Sequence, residues 1–147
     1  LRSFAAAIGA EDWILQHRRD RGRGDAKAHP LWKSREDLPS RWEALENGLK
    51  YEFRSDQGLS SGLFLDQRAN RAWMLQNARG KTALNLFSYT GGFSVCAAAG
   101  GADRTVSVDL SKPFMEWTKR NFEINGLSLY GHEFRAMDSR AYLDWAL

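Results

Sequence analysis

The chain has 147 residues, of which 43% are hydrophobic and 27% charged, and this composition is typical of a globular protein with room for about one domain. The single cysteine, Cys96, cannot form an internal disulfide and has no second ligand at a zinc-binding spacing, so no metal site is expected. The apolar stretch at residues 4–9 is too short to cross a bilayer and does not have the order of a signal peptide. We therefore expect a cytoplasmic protein without a membrane partner.

Positive charge is concentrated in one tract, which runs from Arg18 to Arg35. The whole chain has a net charge of +3, but this tract holds seven Lys or Arg residues against two acids, so the remainder is slightly acidic. Lysine and arginine neutralise phosphates, and the nearby Trp32 can stack on a base. The tract is therefore either an arm that contacts RNA or an ordinary solvated linker, because most charge runs are simply surface.

The N-terminal part of the chain predicts a helix, a basic linker and a small β-hairpin. The apolar spacing over residues 4–19 favours a helix that the following glycines end. Apolar and polar residues alternate over residues 49–53, which predicts a half-buried strand, and residues 62–65 are its expected partner. Three domains follow from this pattern: a helix and linker over 1–45, a hairpin over 46–66, and a cofactor-binding domain over 67–147.

From Asp66 onward the sequence alternates between helices and short apolar strands. Asp66 is the expected N-cap of a helix that continues to Arg79, and Ser111 is the expected N-cap of a later one, with Pro113 in its first turn. The remaining elements are strands at 82–87, 104–109 and 133–137 and a helix at 93–99. The crossovers of such a βαβαβ unit are right-handed, so the predicted sheet order is three, two, one, with a ligand at the carboxyl ends of the strands.

Three features follow the three predicted strands: the loop of residues 88–92, Asp109 and Asp138. The backbone N–H groups near Gly92 can bind a carboxylate or phosphate at the start of a helix. Asp109 can accept hydrogen bonds from ribose hydroxyls, and Asp138 can accept one from the amine of an adenine. Each feature alone is common in turns and caps, but the three in this order favour a nucleoside site.

The loop distinguishes between two nucleoside cofactors. A dinucleotide fingerprint reads Gly-x-Gly-x-x-Gly, and its first glycine is replaced by Ser88 here, so the cradle for a pyrophosphate is incomplete. S-adenosylmethionine joins an adenosine to an amino acid without a pyrophosphate and tolerates this change. We therefore predict S-adenosylmethionine as the cofactor. Cys96 lies among small apolar residues and is interpreted as core packing.

Three boxes resemble the bacterial class I methyltransferases of large-subunit (23S) ribosomal RNA. They read GLFLDQR at 62–68, LNLFSYTGGF at 84–93 and VSVDLSK at 106–112, and the similarity covers residues 46–142. It implies a Rossmann-like α/β fold and transfer of a methyl group to cytosine C5 or guanine N7 of ribosomal RNA. The residues that it implies for cofactor binding are Phe64, Asp66, Gln67, Arg68, Asn85, Ser88, Tyr89, Thr90, Gly91, Asp109, Leu110, Asp138 and Ser139.

The chain departs from this family at its end. The family's Asp-Pro-Pro box, and the cysteine beyond it in members that methylate cytosine, are not found before Leu147, so the catalytic residues are expected beyond that point and the chain is interpreted as a partial one. The first strand would then lie at a sheet edge, which predicts a possible homodimer. Two alternatives remain open: a small-molecule methyltransferase with the same cofactor half, and a non-catalytic fragment that binds a nucleoside or RNA.

Overall fold

A computed structural model describes residues 2–16, 31–57 and 60–146. The chain divides into two compact units. The N-terminal unit comprises Leu1–Trp42 and Phe53–Ser61, and the sheet unit comprises Glu43–Glu52 and Gly62–Leu147. Most of the basic tract between Arg18 and Arg35 lies outside the described residues.

The N-terminal unit contains a short helix and a small antiparallel sheet. Helix α1 spans Arg2–Ala7, and strands β1 (Ile14–Gln16) and β2 (Leu31–Lys33) pair with each other. The predicted helix over residues 4–19 is therefore wrong for residues 8–16, and its last three residues lie outside the described residues. The physical reason is Gly9, whose φ of +68° is left-handed and reverses the chain, after which pairing with β2 satisfies the backbone of residues 14–16.

Strands β3 (Arg41–Glu46) and β4 (Leu49–Arg54) form a hairpin. Its two-residue turn is Asn47-Gly48, with φ of 53° and 79°, which are the positive angles that a type I′ turn requires. The predicted strand at 49–53 is confirmed, but its predicted partner at 62–65 is wrong, because the partner precedes β4 in the chain. The Asn-Gly dipeptide is the sequence signal that identifies this hairpin.

A 3₁₀ turn at Leu65–Gln67 leads into helix α2, which spans Arg68–Asn77. The prediction that Asp66 caps this helix is wrong, because Gln67 occupies the N-cap position and makes no side-chain cap bond. The Gln67 amide donates to the carbonyl of Phe64 at 3.1 Å, and this tighter turn displaces the helix start by one residue.

The sheet unit is built on three parallel strands in the order β5-β6-β7, as the sequence predicts. Strand β6 lies in the centre, and its residues from Thr105 to Val108 are at most 3% exposed. Right-handed βαβ crossovers explain this order. The elements of this unit are β5 (Thr82–Leu86), α3 (Gly92–Ala99), β6 (Arg104–Asp109), α4 (Lys112–Glu123), β7 (Glu133–Ala136) and α5 (Ser139–Ala146).

Helix α4 packs against both the sheet and the hairpin strand β4. Ser111 caps it as predicted, since its hydroxyl accepts from the Phe114 amide at 3.4 Å, and Trp117 on its inner face is fully buried. Asn121 and Asn125, one helical turn apart, accept from the backbone amides of Glu52 and Lys50 at 2.9 and 2.8 Å. Two side-chain amides thus satisfy backbone groups of β4. No helix in the described ranges is long and apolar enough to cross a membrane.

Candidate functional site

The loop after β5 has an unusual backbone conformation. Phe87, Tyr89 and Gly91 have φ values of 54°, 51° and 74°, so every second residue is left-handed. An aromatic residue in this region is strained, and such strain persists only where the surroundings over-determine it, most often at functional sites.

Hydrogen bonds tie this loop to residues at the carboxyl ends of β6 and β7. The Tyr89 amide donates to Asp109 Oδ2 at 2.9 Å, and the Ser111 amide donates to the other oxygen of Asp109 at 3.0 Å. The Phe87 amide donates to Ser139 Oγ at 3.3 Å, beyond the end of β7. The features that the sequence places after the three strands therefore meet at one edge of the sheet.

The two glycines of the loop are required by close packing. A Cβ on Gly91 would lie 2.2 Å from Thr118 Cγ2 on α4, in addition to the strain of its positive φ. A Cβ on Gly92 would lie 2.8 Å from Leu63 Cδ2 and 3.3 Å from Arg71 Cδ. The Gly91 distance is far inside van der Waals contact, so the loop backbone lies against α4 with no room for a side chain. A Cβ at Gly92 would require the side chains of Leu63 and Arg71 to shift.

A cavity of about 130 Å³ lies beside this loop. Its lining includes six of the residues predicted for cofactor binding: Phe64, Gln67, Asn85, Ser88, Tyr89 and Thr90. The Ser88 hydroxyl is the one buried side-chain oxygen or nitrogen in the described ranges that has no hydrogen-bond partner. Because buried hydroxyls are normally paired, a polar ligand group in this cavity would satisfy it. The site therefore fits a ligand that brings hydrogen-bonding groups to this loop.

Thr90 joins the 62–68 box to the loop. Its side chain is 1% exposed and its hydroxyl donates to the carbonyl of Gly62, while its own carbonyl accepts from Asn121 Nδ2 at 2.9 Å. Asn85 lies at the wall of the same cavity, where it donates to Ser94 Oγ at 2.9 Å. These bonds fix the cavity wall on two sides.

Asp66, Arg68, Leu110 and Asp138 are exposed and do not line this cavity. Asp66 accepts from Gln67 Nε2 at 3.0 Å within the 3₁₀ turn. Leu110 is 76% exposed next to Asp109. Asp138 Oδ1 accepts from two backbone amides at 2.9 and 3.0 Å, so this carboxylate caps α5. The predicted residues thus divide into cavity residues and surface residues, and their roles in cofactor binding stay predictions.

Arg71 is a charged residue of the cavity that the sequence did not predict. It lines the cavity with only 2% of its side chain exposed, and it donates to both carboxylate oxygens of Glu46, at 2.6 and 2.9 Å. Its third bond, from Nη1 to the carbonyl of Phe64, is 2.9 Å long. Burial opposes ionisation, but the Glu46 carboxylate raises the pKa of Arg71, so the guanidinium stays charged. No local pattern signals this pair, because its partners are 25 residues apart.

Cys96 lies in the core, as predicted. It is fully buried, and its sulfur lies 3.1 Å from the Tyr51 hydroxyl. Burial raises the pKa of the Cys96 thiol, which disfavours the reactive thiolate. Cys96 is therefore a packing residue in this fold.

Residues 2–143 match the family model described as S-adenosylmethionine-dependent methyltransferase. The chain belongs to this family. This match and the relatives below confirm three predictions made from the sequence. They are the α/β fold, S-adenosylmethionine as the family's cofactor, and the resemblance to ribosomal RNA methyltransferases. The individual cofactor contacts stay predictions.

The chain is similar to ribosomal RNA methyltransferases of known organisms. It is 41% identical over 147 residues to ribosomal RNA large subunit methyltransferase K of Neisseria meningitidis, covering 99% of this chain and 40% of that protein. It is 38% identical to methyltransferase K/L of a Shewanella species, covering 94% of this chain and 19% of the relative. The chain thus spans less than half the length of these relatives.

A solved structure shares the fold. SMU.776 is a candidate methyltransferase that was crystallised in complex with SAH (S-adenosylhomocysteine). It is 44% identical to this chain, with a TM-score of 0.72, and the match covers 76% of this chain and 30% of SMU.776.

Proposed function

We propose that this protein transfers the methyl group of S-adenosylmethionine to a base of ribosomal RNA in the cytoplasm, at cytosine C5 or guanine N7. The observation that carries the proposal is the strained loop after β5, which presents the unpartnered Ser88 hydroxyl beside a cavity. The names of the relatives support ribosomal RNA as the substrate, and the SAH complex of a protein with the same fold supports the cofactor.

The cavity residues would hold the amino-acid end of the cofactor. Ser88 has an unused hydroxyl there, and the backbone of Gly91 and Gly92 allows a close approach at the start of α3. Phe64 and Gln67 also line the cavity, and Arg71 donates to the Phe64 carbonyl. These residues bind and orient the ligand, which is the main contribution that a protein makes to this kind of transfer.

The adenosine end would lie over the strand ends. Each oxygen of Asp109 accepts one backbone N–H, and a carboxylate can accept about four hydrogen bonds, so capacity remains for ribose hydroxyls. Asp138 has the same spare capacity for an adenine amine while it caps α5. The exposed side chain of Leu110 and the hydroxyl of Ser139 would complete the adenine contacts.

When bound, the cofactor supplies an electrophilic methyl group on a sulfonium. Guanine N7 is already a nucleophile and needs orientation only. Cytosine C5 needs covalent activation by a thiolate, and Cys96 does not supply it, because it is fully buried and its pKa is raised. The proposed cofactor contacts are therefore the same for either target base.

Calorimetric titration with S-adenosylhomocysteine (SAH) tests cofactor binding. Asp109→Asn removes a charged acceptor, and a hydrogen bond to a charged group contributes about 1.5–3 kcal/mol, so the affinity should fall by roughly 10- to 100-fold. Asp103→Asn is the matched control, because this exposed acid lies at the other end of β6. A wild-type chain that does not bind SAH, or an equal effect of the two substitutions, would refute the proposed site.

The RNA substrate is tested separately by the salt dependence of binding. We propose that the tract from Arg18 to Arg35 contacts phosphates, so replacing Arg21 and Arg23 by alanine should weaken binding to a ribosomal RNA fragment. Each lost phosphate contact should reduce the salt slope by about 1. If the chain binds SAH but has no salt-dependent affinity for RNA, a small-molecule substrate is the better proposal.

A further inference from the structure

A second cavity lies entirely within the N-terminal unit, and the cofactor site does not use it. Its volume is about 550 Å³, compared with about 130 Å³ for the cavity beside the loop. Sites for small molecules and single nucleotides typically have volumes of about 300–1,000 Å³. The cavity is therefore large enough to receive one nucleotide.

Two tryptophans, Trp13 and Trp42, line this cavity. Trp42 stacks on Phe53 with ring centroids 5.8 Å apart and an interplanar angle of 16°, yet 37% of the residue remains exposed. The stack fixes the orientation of the indole, and the exposed part can receive a second planar ring. A rigid, partly exposed aromatic is the platform on which single-stranded nucleic acids stack their bases.

Polar and charged groups surround the tryptophans. Arg35, Arg54 and Asp12 are the charged side chains among the described residues that line the cavity, and Arg35 is also paired with Asp37 at 2.9 Å. Asp12 is held by Arg35 at 3.0 Å, and Arg54 donates to the Gln57 side chain at 3.2 Å. The lining thus offers an acceptor for the edge of a base and a guanidinium for a phosphate. A lipid tail would not use the charged groups, and an acidic peptide would not use the planar indole.

We propose that this cavity binds one unstacked nucleotide of single-stranded RNA, with its base on Trp42 and its phosphate near Arg54. The inference rests on the proposed RNA methyltransferase function and extends it with a second binding site. The proposed cofactor residues belong to the sheet unit and this cavity belongs to the N-terminal unit, and we assign the cavity to a nucleotide other than the methylated base. An enzyme that acts on an unstacked base gains from holding a flanking nucleotide, because the strand is then ordered near its target.

The test uses a single-stranded hexaribonucleotide with one 2-aminopurine, whose fluorescence falls when the base stacks on an aromatic ring. Trp42→Ala should weaken binding about tenfold, the effect of losing one stack, and should abolish the quenching, whereas Trp42→Phe should retain most of both. Trp73→Ala is the matched control, because Trp73 is 62% exposed on α2 in the sheet unit. Arg54→Ala should weaken binding and reduce its salt dependence.

The outcomes separate this inference from the proposed function. Weaker RNA binding by Trp42→Ala, with an unchanged thermal unfolding midpoint and unchanged SAH affinity, supports the cavity site. Wild-type RNA binding that neither Trp42→Ala nor Arg54→Ala affects overturns the cavity site and leaves the proposed function intact. SAH binding without any RNA binding overturns both. Adenosine monophosphate that binds as tightly as the hexamer overturns the assignment to an RNA strand.

Discussion

The ion pair between Glu46 and Arg71 should be a main source of stability in the sheet unit. The two side chains are 9% and 2% exposed, and the bonds between them are 2.6 and 2.9 Å long. Glu46→Ala would leave the buried guanidinium without its carboxylate, and breaking such a pair costs about 3–5 kcal/mol. This is a large part of the ~5–15 kcal/mol that stabilises a typical domain. Glu46→Gln should cost less, because the amide still accepts one hydrogen bond.

Urea unfolding followed by circular dichroism measures this cost, and the surface pair of Lys119 and Glu116 provides the control. That pair is also 2.9 Å apart, but its side chains are 35% and 60% exposed, so Glu116→Ala should cost less than about 1 kcal/mol. The double variant Glu46→Leu with Arg71→Met removes both charges and should be more stable than Glu46→Ala alone.

The same variants should affect cofactor affinity. Arg71 holds the Phe64 carbonyl at the wall of the cavity, so a displaced guanidinium should weaken SAH binding even where the protein remains folded. A stabilising role for the ion pair is refuted if Glu46→Ala lowers the free energy of unfolding by no more than Glu116→Ala does. It is also refuted if the double variant is no more stable than Glu46→Ala alone.

Three further predictions concern backbone strain, pH and the sheet edge. Gly91→Ala should lower the thermal unfolding midpoint and weaken SAH binding because its Cβ meets Thr118, and adding Thr118→Ser should recover only part of the loss, since the positive φ remains strained. Burial lowers the pKa of His132 from 6.5, so the unfolded chain binds the proton more readily and the free energy of unfolding should fall as pH drops below that value. Urea unfolding measured across pH should show a weaker pH dependence for His132→Gln. An unchanged pH dependence would contradict this prediction. Among the described strands, β5 pairs only with β6, so its other edge is available for a homodimer, which Leu84→Lys should dissociate. A wild-type protein that stays monomeric at every concentration in sedimentation experiments would contradict the predicted dimer.

The sheet unit could be predicted from sequence because its signals are local. An apolar run identifies a buried strand, and Ser111 with Pro113 marks the start of α4, so the order of elements and of strands followed directly. The N-terminal unit could not be predicted in this way. Strands β1 and β2 are three residues each and pair across an intervening segment, and such non-local pairing leaves no periodic signal.

The candidate site was predictable to the level of its loops. Sequence order placed Ser88, Asp109 and Asp138 after successive strands, and topology brings the carboxyl ends of those strands together. Burial was not predictable at the same level. Asp66 and Arg71 are both charged residues close to the start of α2, and the sequence alone gives no reason to bury either of them. Asp66 is exposed, whereas Arg71 is buried because it pairs with Glu46 from the hairpin.

Asp109 has two functions in this account, and they explain why the strained loop persists. Its carboxylate accepts hydrogen bonds from the amides of Tyr89 and Ser111, so it fixes the loop, and the proposed ribose contact would use its remaining acceptor capacity. A left-handed aromatic residue costs of order 1–3 kcal/mol, and the bond from Tyr89 to a charged acceptor offsets a cost of that size. Asp109→Asn should therefore lower both SAH affinity and stability, whereas Ser88→Ala, which removes an unpaired hydroxyl, should lower affinity alone. Comparing the two variants separates the residue that builds the loop from the residue that only contacts the ligand.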